Sequence, residues 1–206
     1  MGRLVGVLGR AASVLGGRSL LALYNALVLP HLQYCLMVWG DFREGGNLTL
    51  GGALLRHQKS IAHMVAGVSG RCHADPLLAE GGMLKIGDLY RQQLRVHGWR
   101  FWNGRLPVNQ AAMLGRATDV HGHATRSAGA GLFLSSRDHR SVGYRVPKEW
   151  ATLTEAQRAG GSLGSFKKRS REGFLGAYRA FVCGVGGCRA CHRDGAGPRS
   201  AGGGDE

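Results

Sequence analysis

"MLKIGDLYRQQLRVHGWRFWNG", residues Met83 to Gly104, decides how the rest of the chain is read. Ile86, Tyr90, Leu94, His97 and Phe101 recur every three or four residues, the spacing of one helix face. Asp88, Arg91, Gln92 and Arg95 fall on another face, and Asn103-Gly104 is a helix stop. A helix with such a stripe needs an apolar partner to cover it, so the flanking segments are read for further helices.

Upstream, "LYNALVLPHLQYCLMVWG" (Leu23 to Gly40) sits in a run from Ser19 to Gly40 that carries no Lys, Arg, Asp or Glu. The run matches the roughly 20 residues a transmembrane helix requires. Asn25, Pro30, His31, Gln33 and Tyr34 in its middle would lack water there, which argues against a membrane span. Arg3, Arg10 and Arg18 ahead of the first acid, Asp41, suggest a transit peptide, but the polar face is thin. The reading kept is a buried helix that starts at Ser19 and breaks or kinks at Pro30, followed by a second helical piece from His31 to Trp39.

Asn47 to Val68 repeats Leu50, Leu54, Ile61, Val65 and Val68, with Arg56, Lys59 and His63 opposite, and reads as an amphipathic helix. Asp75-Pro76 opens a short helix that Gly81-Gly82 ends. Beyond Pro107, "VNQAAMLGR" is a short helix and Ala117 to Gly131 has no period, so it reads as loop. "LFLSS" (Leu132 to Ser136) and "VGYRV" (Val142 to Val146) read as two short strands of one β-hairpin. Pro147 to Trp150 opens another helix. Ser162 to Phe181 forms the last, with Phe166, Phe174, Tyr178 and Phe181 on one side. From Gly184 onward glycine dominates and no core residue remains, the composition of a disordered tail. The expected fold is therefore mainly α, a helical bundle followed by an irregular segment with one short β-hairpin and a final basic helix. The chain divides into a helical region 1–115, a loop-rich segment 116–149, a C-terminal helical segment 150–182 and a tail 183–206.

The 206 residues carry 27 Lys and Arg against 13 Asp and Glu, a formal charge of +14, and the excess is spread along the chain. A polyanion is the expected partner. The 35 glycines leave open a second source of the charge, translation of a GC-rich genome that raises Arg and Gly together. Five cysteines, odd in number and unevenly spaced, exclude a disulfide framework and fit a reducing compartment, cytoplasmic or nuclear.

Several phrases converge in order and spacing: "LYNALVLPHLQYCLMVWG", "HQKSIAHMVAG", "LKIGDLYRQQLRVHGWRFWNGRLP", "HATR" and "SLGSFKKRSREGFLGAY". Together they resemble the C-terminal region of reverse transcriptases from non-long-terminal-repeat retrotransposons, the jockey-like and chicken-repeat-like LINE group. The likeness runs from about Gly6 to Tyr178. It implies a helical thumb and a post-thumb helical segment that hold template and primer, with palm, fingers and endonuclease upstream of residue 1. On that resemblance the chain is expected to be a remnant reading frame of a decayed element or a partial gene model. The family's palm motif, with two adjacent aspartates, is missing: no Asp-Asp pair occurs in the sequence. Nucleotidyl transfer needs paired carboxylates to hold two divalent ions, so no catalysis by this chain alone is expected.

The resemblance and the charge together point to phosphate contacts. Lys59, Lys85, Arg91, Arg95 and Arg100 on the middle helices, and Lys167, Lys168, Arg169 and Arg171 on the last, are the candidates. The bland alternative for each is a solvated helix face. Trp99, Trp102 and Trp150 read as core, not as stacking platforms. In the tail, Cys183, Cys188, Cys191 and His192 have the spacing of a zinc knuckle, against the reading of free thiols and no cofactor. The order departs from the Cys-Cys-His-Cys knuckle that many LINE polymerases carry. His121, His123, Cys72 and His73 have no third ligand at suitable spacing. A second function class is also expected to compete: a repurposed or decayed protein–protein module, in which Val5, Val7, Leu8, Val14 and Leu15 form the surface a palm would have covered.

Overall fold

The computed structural model describes residues 2–42, 48–68, 72–120, 131–134, 139–159 and 161–181. Among these, helices dominate and no strand forms. The elements are α1 (Gly2–Ala11), α2 (Gly17–Leu23), a π-turn (Tyr24–Val28), α3 (Leu29–Gln33), α4 (Leu36–Trp39), α5 (Leu48–Ala66), α6 (Ala74–Glu80), α7 (Ile86–Trp102), α8 (Val108–Ala111), α9 (Ala117–Val120), α10 (Val142–Ala151), α11 (Glu155–Arg158) and α12 (Leu163–Arg179). Two compact units draw on interleaved stretches of chain, not on consecutive blocks. The described residues of Met1–Leu29, Arg56–Met83 and Leu175–Glu206 form the first unit, and those of Pro30–Leu55 and Leu84–Phe174 the second.

In the first unit Leu8, Leu20, Tyr24, Val28, Ile61 and Leu78 are buried. Gln58 is buried with them and donates from Nε2 to Tyr24 Oη at 3.2 Å, so the polar group entering this core is hydrogen-bonded there. Gly17 has no side chain because a Cβ there would strike the Val65 carbonyl oxygen.

The charge-free run is helical, and its punctuation differs from expectation. The helix begins at Gly17 behind Gly16, not at Ser19. Pro30 does not break it. An α-turn would press the proline ring against the carbonyl four residues back. Here the preceding turn widens instead: the Leu29 N–H reaches Tyr24 O, five residues back, and the helix continues to Gln33. The break falls at Cys35, whose φ of 48° is left-handed and costs roughly 1–2 kcal/mol for a residue with a Cβ. Among the described residues no helix is long and apolar enough to cross a membrane.

The second unit is organised by α7, which packs against α10 and α4. Trp99 and Trp150 are buried, each with its ring centroid 6.1 Å from that of Phe166 in α12. α10 comes close because position 98 is glycine: a Cβ there would lie 2.8 Å from Trp150 Cε3. The expected stripe holds at Ile86, Tyr90 and Leu94, but His97 and Phe101 are only half-buried, while Leu89, Arg95, Gly98 and Trp99 are buried. α7 has neighbours on more than one side, so it buries more than the single stripe that amphipathic spacing reveals.

The hairpin does not form. Val142 to Val146, read as a strand from its alternation, is the first half of α10. Ser141 is the N-cap, its Oγ accepting from the Tyr144 N–H at 3.2 Å, and five residues are too few for alternation to outweigh a cap. Leu132 makes only an isolated bridge to Arg116. α6 starts after His73, not at Asp75, which puts Pro76 in the first turn, where its missing N–H is one of the unpaired four. The expected glycine stops are present. Gly82 and Gly104 have φ near +60°, and the next N–H turns back to a helix carbonyl, Met83 to Leu78 and Arg105 to Arg100, each at 2.7 Å.

Candidate nucleic-acid interface

α12 separates its residue types cleanly. Phe166, Ser170 and Phe174 recur at four-residue intervals and are buried in the second unit. Lys167, Lys168, Arg169 and Arg171 are all exposed. The helix is held through its inner face: the Lys167 carbonyl accepts from Gln92 Nε2 of α7 at 3.2 Å, and Phe174 lies under the Arg95 guanidinium at 4.4 Å. Arg169 Nη2 donates to Ala159 O at 2.8 Å, which holds that side chain near the helix start. The outer face thus presents cations at i, i+1 and i+4, a spacing that follows one side of a helix. Such a face can neutralise backbone phosphates without reading sequence.

α7 treats its cations differently. Arg95 is buried and donates from Nε to Glu149 Oε1 at 2.7 Å. Arg91 donates to both oxygens of the same carboxylate, at 3.1 and 3.2 Å, and lies 3.7 Å from Asp88. Arg95 is therefore committed to the interior and the phosphate reading does not extend to it; Arg91 is half-exposed but already engaged. Arg100 is exposed, and Lys85, at the start of α7, is half-buried. Burial pushes the pKa of His97 below its ordinary value of 6.5, and the Arg100 charge adds to that lowering.

Two cations of the second unit escape the sequence reading. Arg105 and Arg116 are exposed and stack over the Trp99 and Trp102 rings at 5.3 and 5.2 Å. Arg105 had a readable signal, since the left-handed Gly104 folds the following residue back on the helix. Arg116 had none. As expected Trp99 and Trp150 are core, whereas Trp102 is part-exposed.

In the first unit Lys59 is exposed beside Arg56, and both line an open cavity of about 720 Å3 with Ser60, His63, Cys72 and His73. The His63 ring lies there between two backbone carbonyls, Lys59 O and Cys72 O, each 2.7 Å from a ring nitrogen. Cys35 and Cys72 carry no disulfide. Among the described residues no group of three or more His, Cys, Asp or Glu is placed to hold a metal ion. Cys183, Cys188, Cys191 and His192, like His121 and His123, lie outside the described residues. Comparisons with protein-family models, curated proteins and solved structures find no match for the chain.

Proposed function

We propose that this chain is a nucleic-acid grip: a helical, thumb-like fragment of a reverse-transcriptase-type polymerase that holds template–primer duplex by its phosphates and has no catalytic centre of its own. The observation that carries the reading is the outer face of α12, where Lys167, Lys168 and Arg171 are exposed while Phe166, Ser170 and Phe174 anchor the helix beneath them. Exposed Arg100, Arg105 and Arg116 in the second unit, Arg56 and Lys59 in the first, and a formal charge of +14 support it. The absence of any Asp-Asp pair from the sequence supports the lack of polymerase chemistry. A palm supplied by another chain or exon is the partner this reading implies, and the cytoplasm or nucleus the compartment. The test is binding to an RNA–DNA primer–template duplex across a salt series, with log affinity falling linearly against log salt. Affinity indifferent to salt overturns the reading.

A second reading, a protein–protein module, rests on the apolar residues of the N-terminal helices. Val7 is 40% exposed, Leu15 38% and Val14 84%, whereas Leu8 is buried and Val5 half-buried. A chain that self-associates in sedimentation and ignores duplex favours it over the first.

A further inference from the structure

The second unit contains a cavity of about 320 Å3 whose exposed wall is mainly apolar and whose lining includes Phe42, Tyr90 and Leu94. That volume is at the small end of ligand pockets, which run about 300–1,000 Å3. Arg145 lines it and is itself more than nine-tenths buried. Its Nη1 donates to Tyr90 Oη at 3.0 Å and its Nε lies 3.5 Å from the Ser141 carbonyl, both uncharged acceptors. Among the described residues no carboxylate pairs with Arg145. The two carboxylates that line the cavity are engaged elsewhere: Asp88 faces Arg91 and Glu149 holds Arg91 and Arg95. A buried guanidinium without a counter-ion is costly unless something completes it. Lys148, at the same cavity, adds a further positive charge.

We infer that this cavity is a binding site for a small apolar monocarboxylate, with Arg145 receiving the carboxylate and Phe42, Tyr90 and Leu94 enclosing the hydrocarbon body. The planar guanidinium suits a carboxylate in a way that a point charge does not. Arg145 with Lys148 disfavours amines. The site needs no nucleic acid and does not depend on the proposed grip.

The probe is octanoate, compared with octanol and octylamine, read by calorimetry and by the unfolding temperature of the full chain. Octanoate binds at least roughly tenfold more tightly than either control and raises the unfolding temperature in proportion to its concentration. Arg145→Met keeps the volume, removes the charge and abolishes the preference for octanoate over octanol. Gly87 also lines the cavity, and a Cβ there meets nothing within 4 Å. Gly87→Leu therefore leaves Arg145 in place, occupies the space and weakens octanoate at least roughly tenfold. It keeps the test decisive should Arg145→Met fail to fold. Octanoate binding no better than octanol, or undiminished in Gly87→Leu, overturns the assignment.

Discussion

α7 and α12 are both 17 residues long and both rich in cations, yet they use them in opposite ways. α12 turns Lys167, Lys168 and Arg171 outward over an aromatic underside. α7 draws Arg95 inside and ties Arg91 to the same carboxylate, Glu149 of α10. The difference lies in the neighbour, not in the helix. Glu149 meets Arg91 and Arg95 with a carboxylate, whereas the underside of α12 meets Trp99, Trp150 and the Gln92 amide while Lys167, Lys168 and Arg171 stay exposed. A cluster of positive residues in a sequence therefore marks two physically different things, an internal brace and a surface available to a polyanion.

The brace is the costlier to break. Glu149→Gln leaves Arg95, whose side chain is only 10% exposed, without its counter-charge, and should lower unfolding free energy by about 3 kcal/mol in urea denaturation. A drop below about 1 kcal/mol would mean that the pair is solvated like a surface bridge. Next in size is the close approach that brings α10 within reach. Gly98→Ala gains about 1 kcal/mol of helix propensity but places a Cβ 2.8 Å from Trp150 Cε3, in a side chain that is 1% exposed and cannot retreat. A net destabilisation of about 1–2 kcal/mol is expected, and Gly98→Ser should be no better.

The surface behaves otherwise. Replacing Lys167, Lys168 and Arg171 together by Gln should change stability by less than about 0.5 kcal/mol, since each is exposed. The same variant should reduce the salt slope of duplex binding by about 2 to 3 units, near 0.9 for each phosphate that is no longer neutralised. An unchanged slope would place the phosphate-binding cations elsewhere and dissolve the contrast between the two helices.

How legible this contrast was depends on the kind of interaction. Helices and their glycine stops are local, so α7, α12, Gly82 and Gly104 could be read from spacing and turn chemistry. α10 could not be read in full, because Val142, Tyr144 and Val146 alternate like a strand until the Ser141 cap is weighed against them. The widened turn before Pro30 answers to the proline ring but reads in sequence as a break, and no local pattern marks the left-handed Cys35. Arg95 was misplaced because its partner is 54 residues away. Arg145 read as part of a strand, and nothing near it in sequence announces a buried cation beside a cavity.

The smallest expected effect tests whether the outward cation of α7 still acts on the interior. Burial, and then the Arg100 charge, hold the His97 pKa below 6.5, so the folded chain resists protonating this ring. The unfolded chain does not resist. As pH falls through about 6.5 the unfolded state takes up a proton that the folded state refuses, and stability drops until the lowered folded pKa is reached. Above about 6.5 the contribution is complete and flat. The readout is the difference between wild type and His97→Gln in unfolding free energy from about pH 7.5 to 5, which isolates this one ring. The wild type should lose more over that interval, and Arg100→Gln should recover part of the loss by removing the second cause alone. Parallel curves for wild type and His97→Gln would show that the ring protonates as readily folded as unfolded, and that α7 shields nothing on this side.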